Sequence, residues 1–82
     1  MIEFNVSGTV LEVLFTGEKS CKFIVGNDKG SIVGTITASR IKLAEKIKQG
    51  NKFNFKGYIS AYSKQRNGKV FVENTYYITD IE

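Results

Sequence analysis

The sequence contains no histidine, no proline and no tryptophan, and its single cysteine is Cys21. A lone cysteine cannot form an internal disulfide. Without histidine and with one cysteine, the chain lacks the usual ligand set of a structural zinc site, and a histidine-activated nucleophile is impossible. No apolar run approaches membrane-spanning length, and the first residues lack the basic and apolar regions of a signal peptide. We therefore predict a soluble, cytoplasmic protein that has no metal site, no cofactor and no membrane partner.

Positive charge is abundant and unevenly distributed. The chain has 12 basic and 8 acidic residues, and between residues 40 and 69 nine basic residues face one acid, Glu45. The nine are Arg40, Lys42, Lys46, Lys48, Lys52, Lys56, Lys64, Arg66 and Lys69. Tyr58 and Tyr62 lie within this stretch and Phe71 lies beside it. Positive charge attracts phosphate and aromatic faces stack on any base, so this combination indicates single-stranded nucleic acid as a partner.

Apolar residues alternate along most of the chain, which is the pattern of half-buried β-strands. We predict five strands, over residues 2–15, 21–25, 31–37, 52–62 and 70–81. The first strand changes phase after Val10, as a β-bulge would require, and the fifth is expected to break near Asn74-Thr75. Turn residues separate the strands, and we expect a longer loop over Ser63–Lys69, which contains the tight-turn pair Asn67-Gly68.

Residues 40–49 change to a helical period. Leu43, Ala44 and Ile47 fall on one face of this helix, Ser39 is a suitable N-cap and Gly50 a suitable end. Three strands, a short helix and two strands, with a bent first strand, predict an all-β, five-stranded OB-fold barrel with one short helix between strands 3 and 4. We expect residues 1–82 to form a single OB-fold domain. The alternative is an SH3-like small barrel, which usually lacks so long a helix at this position.

Three segments resemble signatures of nucleic-acid-binding OB domains of the single-stranded-DNA-binding, replication-protein-A and anticodon-binding type. They are Val6-Ser7-Gly8-Thr9-Val10, Asn27-Asp28-Lys29-Gly30-Ser31-Ile32 and Gly50-Asn51-Lys52-Phe53-Asn54-Phe55-Lys56-Gly57-Tyr58-Ile59. Asn27 stands where the family often has aspartate. The resemblance spans nearly the whole chain, and residues 43–82 also resemble the second half of bacterial single-stranded-DNA-binding proteins. It implies single-stranded DNA as a partner, with a homo-oligomer and replication or recombination proteins as further expected partners.

Nucleic-acid-binding OB-folds use the outward face of strands 2 and 3 and the loops that join strands 1–2 and 4–5. The candidate nucleic-acid-binding residues are therefore Lys22, Ile24, Val33, Thr35, Tyr58, Tyr62, Lys64, Arg66, Lys69, Phe71, Phe15 and Lys19.

Several aromatic side chains have two interpretations. Tyr58 and Tyr62 either expose their rings for stacking or lie flat across the barrel. Phe71 faces outward if Val70 and Val72 face inward. Phe15 is either a core residue or a contact. We assign Phe4, Phe53 and Phe55 to the core and expect a structural role for Tyr76-Tyr77.

Two functions follow from this interpretation. The first is a single-stranded nucleic-acid-binding protein, largely independent of sequence, with DNA favoured and RNA as an open alternative. The second is an OB-fold protein-interaction module that scaffolds a replication, repair or similar complex, for which outward Ile24, Val33 and either Leu11 or Val13 would provide the surface. The acids Glu12, Glu45, Glu73 and Asp80 have no evident nucleophile or metal partner, and no P-loop is present, so we do not expect an enzyme.

Overall fold

The structure is a computed structural model that describes residues 2–82. Its elements are β1 (Ile2–Thr16), β2 (Ser20–Asn27), β3 (Gly30–Thr37), a 3-10 helix (Ala38–Lys46), β4 (Lys52–Arg66) and β5 (Lys69–Ile81). The strands form a closed barrel in the order β1-β2-β3-β5-β4, in which β3 and β5 run parallel and the other neighbours are antiparallel. This confirms the five-stranded OB-fold with one short helix between strands 3 and 4.

The first strand closes the barrel because it pairs with two neighbours. Its first half, from Ile2 to Thr9, pairs with β4, and its second half, from Thr9 to Thr16, pairs with β2. Register shifts occur between Val10 and Glu12 and again between Val13 and Phe15. The structure thus confirms the phase change after Val10 and adds a second irregularity. Bulges of this kind bend a strand and increase its twist, which lets one strand serve both sides of the closure.

The helix differs from the prediction in type and bounds. It spans Ala38–Lys46, has non-helical dihedral angles at Arg40 and is capped by Thr37 without a side-chain hydrogen bond. Ser39 therefore lies inside the helix, and the chain leaves it at Ile47, before Gly50. Ile41, Leu43 and Ala44 pack against the core and Ile47 is buried, so the helix is held by these contacts and not by a regular α-helical ladder. No helix among residues 2–82 is long and apolar enough to cross a membrane.

The core lies inside the barrel and is aromatic at its centre. The rings of Phe23 and Phe55 are fully buried, and their centroids lie 5.8 Å apart. Ile36, Ile78 and Val10 are the next largest of the fully buried side chains.

Cys21 belongs to this core. Its side chain is fully buried, and its sulfur lies 3.9 Å from the Thr16 hydroxyl. Burial raises the pKa of the Cys21 thiol, because the thiolate would lose its solvation there.

The β4–β5 hairpin is longer than predicted. The expected loop over Ser63–Lys69 is wrong: β4 continues to Arg66, which pairs directly with Lys69, and only Asn67 and Gly68 form the turn. Both turn residues have positive φ, 53° and 76°, which is the geometry that an Asn-Gly pair favours in a two-residue hairpin. Such a turn keeps the flanking residues in register, so no loop opens.

The predicted break in the fifth strand is also wrong in position. Asn74 and Thr75 pair regularly with Ala61 and Ser60, and the irregularity lies at Thr79, opposite Lys56 and Gly57. The Thr79 hydroxyl donates a hydrogen bond to the Lys56 carbonyl oxygen at 3.3 Å.

The distal part of the hairpin extends past the other strands. The pairing of β1 with β4 ends at Ile59, and the pairing of β3 with β5 ends at Tyr76. Residues 61–74 consequently pair only within the hairpin, and all of them are exposed. The molecule measures 42 × 31 × 23 Å along its principal axes.

Candidate nucleic-acid interface

One row of cross-strand partners runs over the outside of the barrel. Phe15 lies opposite Lys22, Lys22 opposite Thr35, Thr35 opposite Tyr77, and Tyr77 opposite Tyr58. Successive neighbours in such a row point to the same side of the sheet. The outward residues that alternation predicted on β2 and β3 are therefore continuous with aromatic residues on β5 and β4.

A groove of about 500 Å³ lies along this row, and we call it the outer groove. It is lined by Lys22, Val33, Thr35, Tyr62, Glu73, Asn74, Thr75 and Tyr77. Four of these residues were predicted as site residues, and they come from three different strands. The fold thus assembles one continuous surface from residues as distant in the chain as Lys22 and Tyr77.

The distal hairpin adds a second part to this surface. Its pairing places Tyr62 opposite Glu73, Lys64 opposite Phe71, and Arg66 opposite Lys69. These six residues share one face of the hairpin, which we call the basic-aromatic face. The face is continuous with the outer groove, because Tyr62 and Glu73 belong to both.

Phe71 has an exposed ring, with half of its surface accessible. An outward Phe71 is expected from the sequence if Val70 and Val72 face inward, but the two valines do not face inward. Both valines are on the opposite face of the hairpin, and they are exposed as well. The reason is that the hairpin has left the barrel at this point, so that neither of its faces covers a core.

Tyr62 is tied to two charged neighbours. Its hydroxyl donates a hydrogen bond to the Glu73 carboxylate at 2.6 Å, and the Lys64 ammonium lies 5.4 Å from the centroid of its ring. Lys64 is also 3.7 Å from the other Glu73 carboxylate oxygen. The ring is 44% exposed, so Tyr62 does not lie flat on the barrel.

These contacts shift two pKa values in opposite directions. The hydrogen bond from Tyr62, and then the charge of Lys64, lower the pKa of the Glu73 carboxyl. The same hydrogen bond raises the pKa of the Tyr62 phenol. At neutral pH these shifts keep the Tyr62 phenol neutral and the Glu73 carboxyl ionised.

Tyr58, in contrast, lies against the barrel surface instead of exposing its ring. Its half-buried ring stacks on Tyr77, with centroids 5.1 Å apart and an interplanar angle of 29°. The stack covers one face of Tyr58, which leaves less of its ring for a base. Tyr76 points to the opposite side, where it meets the edge of Phe4 at 5.7 Å, in agreement with a structural role.

Four groove residues, all on β5, are absent from the predicted site: Glu73, Asn74, Thr75 and Tyr77. The sequence predicts a structural role for Tyr77 together with Tyr76, and it shows Glu73 only as an acid without a catalytic partner. Alternation alone separates Tyr77 from Tyr76. The position of Tyr77 beside Thr35, however, depends on the parallel contact between β3 and β5, and no local sequence pattern predicts that contact.

The remaining predicted residues lie around this surface. Phe15 is 53% exposed, with its ring over Gly17, so it is not a core residue. Lys19 is exposed in the turn between β1 and β2 and does not line the groove. Ile24 is half-buried and pairs with Val33, also outside the groove lining. Arg66 and Lys69 are exposed at the hairpin tip.

The basic stretch of the sequence is divided by the fold. Lys52 and Lys56 point outward beside β1, opposite Thr9 and Asn5, and Lys56 pairs with Glu82 at 2.9 Å, which raises the Lys56 pKa. Lys46 donates a hydrogen bond to the Ile81 carbonyl oxygen at 3.3 Å. The positive charge of the hairpin is thus separate from these lysines. Within residues 2–82, no three acidic, cysteine or histidine side chains are grouped as metal ligands.

No protein-family model and no curated protein matches the sequence. Solved structures do match. The mitochondrial single-stranded DNA-binding protein Rim1 from S. cerevisiae has a TM-score of 0.77 at 12% identity, covering 99% of this chain and 90% of that one. A selenomethionine form of the same protein gives 0.70 at 12% identity, with 98% and 91% covered. The small single-stranded DNA-binding protein from Streptomyces coelicolor gives 0.65 at 10% identity, with 99% and 92% covered. The chain therefore has the OB-fold of these single-stranded DNA-binding proteins over nearly its full length.

Proposed function

We propose that this chain binds single-stranded nucleic acid, with DNA favoured over RNA and with little dependence on sequence. The observation that carries the proposal is the composition of the basic-aromatic face. Exposed rings of Tyr62 and Phe71 alternate there with Lys64, Arg66 and Lys69. Through Tyr62 the face is continuous with the outer groove, which Lys22 also lines.

The two kinds of side chain have complementary tasks in this proposal. Lysine and arginine contact successive phosphates and release their counterions, which gives affinity without base readout. The rings accept bases as stacking partners, and each such stack contributes about 1–3 kcal/mol. Because a stacked base must be free of its duplex partner, the arrangement favours single strands over double helices.

The comparisons support the proposal through the fold. Proteins described as single-stranded DNA-binding have this barrel at 10–12% identity. A fold alone hosts many functions, so the argument for nucleic acid depends on the surface residues of this chain.

Fluorescence anisotropy with a labelled oligo(dT) of about twenty nucleotides tests the proposal, since one OB-fold covers about 4–16 nucleotides. We expect binding at low salt, and Phe71→Ala should weaken it by about fivefold or more through the lost stack. Val70→Ala is the matched control, because Val70 is the preceding residue, is also exposed (67%, against 50% for Phe71) and lies on the opposite face of the same strand. Absence of binding at low salt, or equal effects of the two substitutions, would contradict the proposal.

A protein-interaction module is the second candidate function. Leu11 and Leu14 lie at the two irregular positions of β1 and are each about half exposed, and Val33 is 44% exposed. Val13 is half-buried against the core, so Leu11 is the residue of that pair available for a partner. Under this alternative, bare oligonucleotide would give no salt-sensitive anisotropy change, and Leu11→Ser would weaken association with a protein partner.

The accompanying expectations keep the status of predictions. They are a homo-oligomer, replication or recombination proteins as partners, a cytoplasmic location, a single domain and the absence of enzymatic activity.

A further inference from the structure

Glu73 is the one acid on the basic-aromatic face of the described hairpin, and it lies where that face joins the outer groove. Tyr62 is its cross-strand partner, and Phe71 and Thr75 are its neighbours two residues away on the same side of β5. About half of its side chain is accessible. A repulsive charge at the centre of a surface proposed to bind a polyanion calls for a reason.

Glu73 has free acceptor capacity. One carboxylate oxygen accepts the Tyr62 hydroxyl at 2.6 Å, and the other is 3.7 Å from the Lys64 ammonium, beyond a direct hydrogen bond. An ionised carboxylate offers about four lone-pair sites, so at least two remain open toward solvent. The group is therefore held in position by Tyr62 and can accept further hydrogen bonds.

The spacing places these acceptors beside a stacked base. Residues two apart on one face of a strand are separated by about 7 Å, so a base that stacks on Phe71 has its polar edge close to Glu73. Carboxylates accept from the cytosine N4 amine, whereas position 4 of uracil and thymine is a carbonyl oxygen that a carboxylate repels.

We propose that Glu73 selects, among the bases presented to this surface, those that carry an exocyclic amine. The inference depends on the proposed function and refines it: backbone contacts bind any strand, and Glu73 adds a modest preference for amine-bearing bases. Glu73 then allows the surface to discriminate between bases, while its negative charge lowers the overall affinity for the strand.

Oligo(dC) and oligo(dU) are the sharpest probes, because cytosine and uracil differ at position 4 and neither has a methyl group that could contribute apolar contact. Anisotropy titrations at neutral pH with labelled strands of about twenty nucleotides compare the two on one protein. We expect the unmodified chain to bind oligo(dC) about fivefold more tightly than oligo(dU), the lower end of discrimination by a good base contact.

Glu73→Gln is the test variant. Its amide can accept from cytosine and donate to uracil, so the preference should disappear while both affinities rise with the loss of negative charge. Glu45→Gln is the matched control: it removes the same charge from an exposed position in the helix and should leave the preference for oligo(dC) unchanged.

The outcomes separate the two proposals. Equal affinities of the unmodified chain for the two strands, or a preference that persists in Glu73→Gln, would overturn the assignment to Glu73 and leave nucleic-acid binding standing. Failure of both strands to bind at low salt would overturn the proposed function and this inference together.

Discussion

Substitution of Arg66 by glutamine tests whether the hairpin tip neutralises phosphate. Arg66 is exposed beside the Asn67-Gly68 turn and lies opposite Lys69. Its side chain makes no contact that stabilises the barrel, since the hairpin beyond Ile59 pairs only with itself. Arg66→Gln should therefore alter binding electrostatics without altering the fold.

The magnitude follows from a count of basic residues on the proposed surface. Lys22, Lys64, Arg66 and Lys69 lie on the outer groove and the basic-aromatic face. For single strands, each neutralised phosphate contributes about −0.7 to the slope of log affinity against log salt concentration. Four contacts give a slope of about −2.8, and three give about −2.1. Between about 50 and 200 mM salt, the unmodified chain should lose about fiftyfold in affinity and Arg66→Gln about twentyfold.

The assay is a series of anisotropy titrations with labelled oligo(dT) across this range of salt. Lys52→Gln is the control, because it removes one positive charge from the same strand at its other end, where Lys52 lies opposite Thr9 of β1. Its slope should stay at about −2.8. If both variants flatten the slope equally, the attraction comes from net charge, and the basic-aromatic face has no special role. A slope near zero in the unmodified chain would refute phosphate contacts altogether.

Three further predictions concern the stability of the fold. Gly57→Ala should lower the free energy of unfolding by about 1–3 kcal/mol in urea titrations. A Cβ atom there would overlap the Tyr77 carbonyl oxygen and come within 2.9 Å of the Phe4 ring. Unchanged stability would show that the strands can separate locally. Gly68→Ala should lower the free energy of unfolding by about 1 kcal/mol, because Gly68 has a φ of 76°, which alanine adopts only with strain. A stability equal to that of the unmodified chain would mean that the turn changes type. Cys21 should react with a thiol reagent far more slowly in the native chain than in urea, because it is fully buried and its pKa is raised. Because the pKa of Cys21 is raised in the folded chain, the free energy of unfolding should fall as the pH rises above the ordinary thiol pKa, where only the unfolded chain gains a thiolate. Below that pKa the contribution of Cys21 to stability is complete, and in Cys21→Ala this loss at high pH should be absent.

The barrel strands could be predicted from the sequence because their signals are local. Cys21, Phe23 and Val25 alternate with polar or outward residues, and all three prove to be buried. The phase change after Val10 is equally visible, because a bulge shifts the alternation of the residues that follow it. Period, turn residues and a helical interruption were together sufficient for the OB-fold.

The hairpin was harder to predict, because alternation reports burial and the distal hairpin buries nothing. Phe71 and its valine neighbours are all exposed, so their pattern gave no indication of which side faces the barrel. The two-residue turn fixes the strand ends at Arg66 and Lys69. The sequence identifies Asn67-Gly68 as a tight-turn pair, but the regular pairing that such a turn imposes on the flanking residues replaces the expected loop.

The helix and the groove depend on contacts between distant parts of the chain. The helix is held by packing of Leu43 and Ile47 and not by intrinsic helical stability, so the periodicity gave its apolar face but not its type or end. The outer groove exists because β3 and β5 meet in a parallel contact of two residue pairs, which places Thr35 beside Tyr77. A contact so short leaves no signature in either strand.

The exposure of the hairpin bears on function more directly than the barrel does. A two-stranded hairpin alone is marginally stable in water, and this one has no core beneath residues 61–74. Its order comes from continuity with the barrel and from contacts such as that between Tyr62 and Glu73. Burial within the chain does not account for Phe71 or for the three positive charges around it. These side chains are consequently free to contact a ligand, and their alternation of rings and cations matches the alternation of bases and phosphates in a single strand.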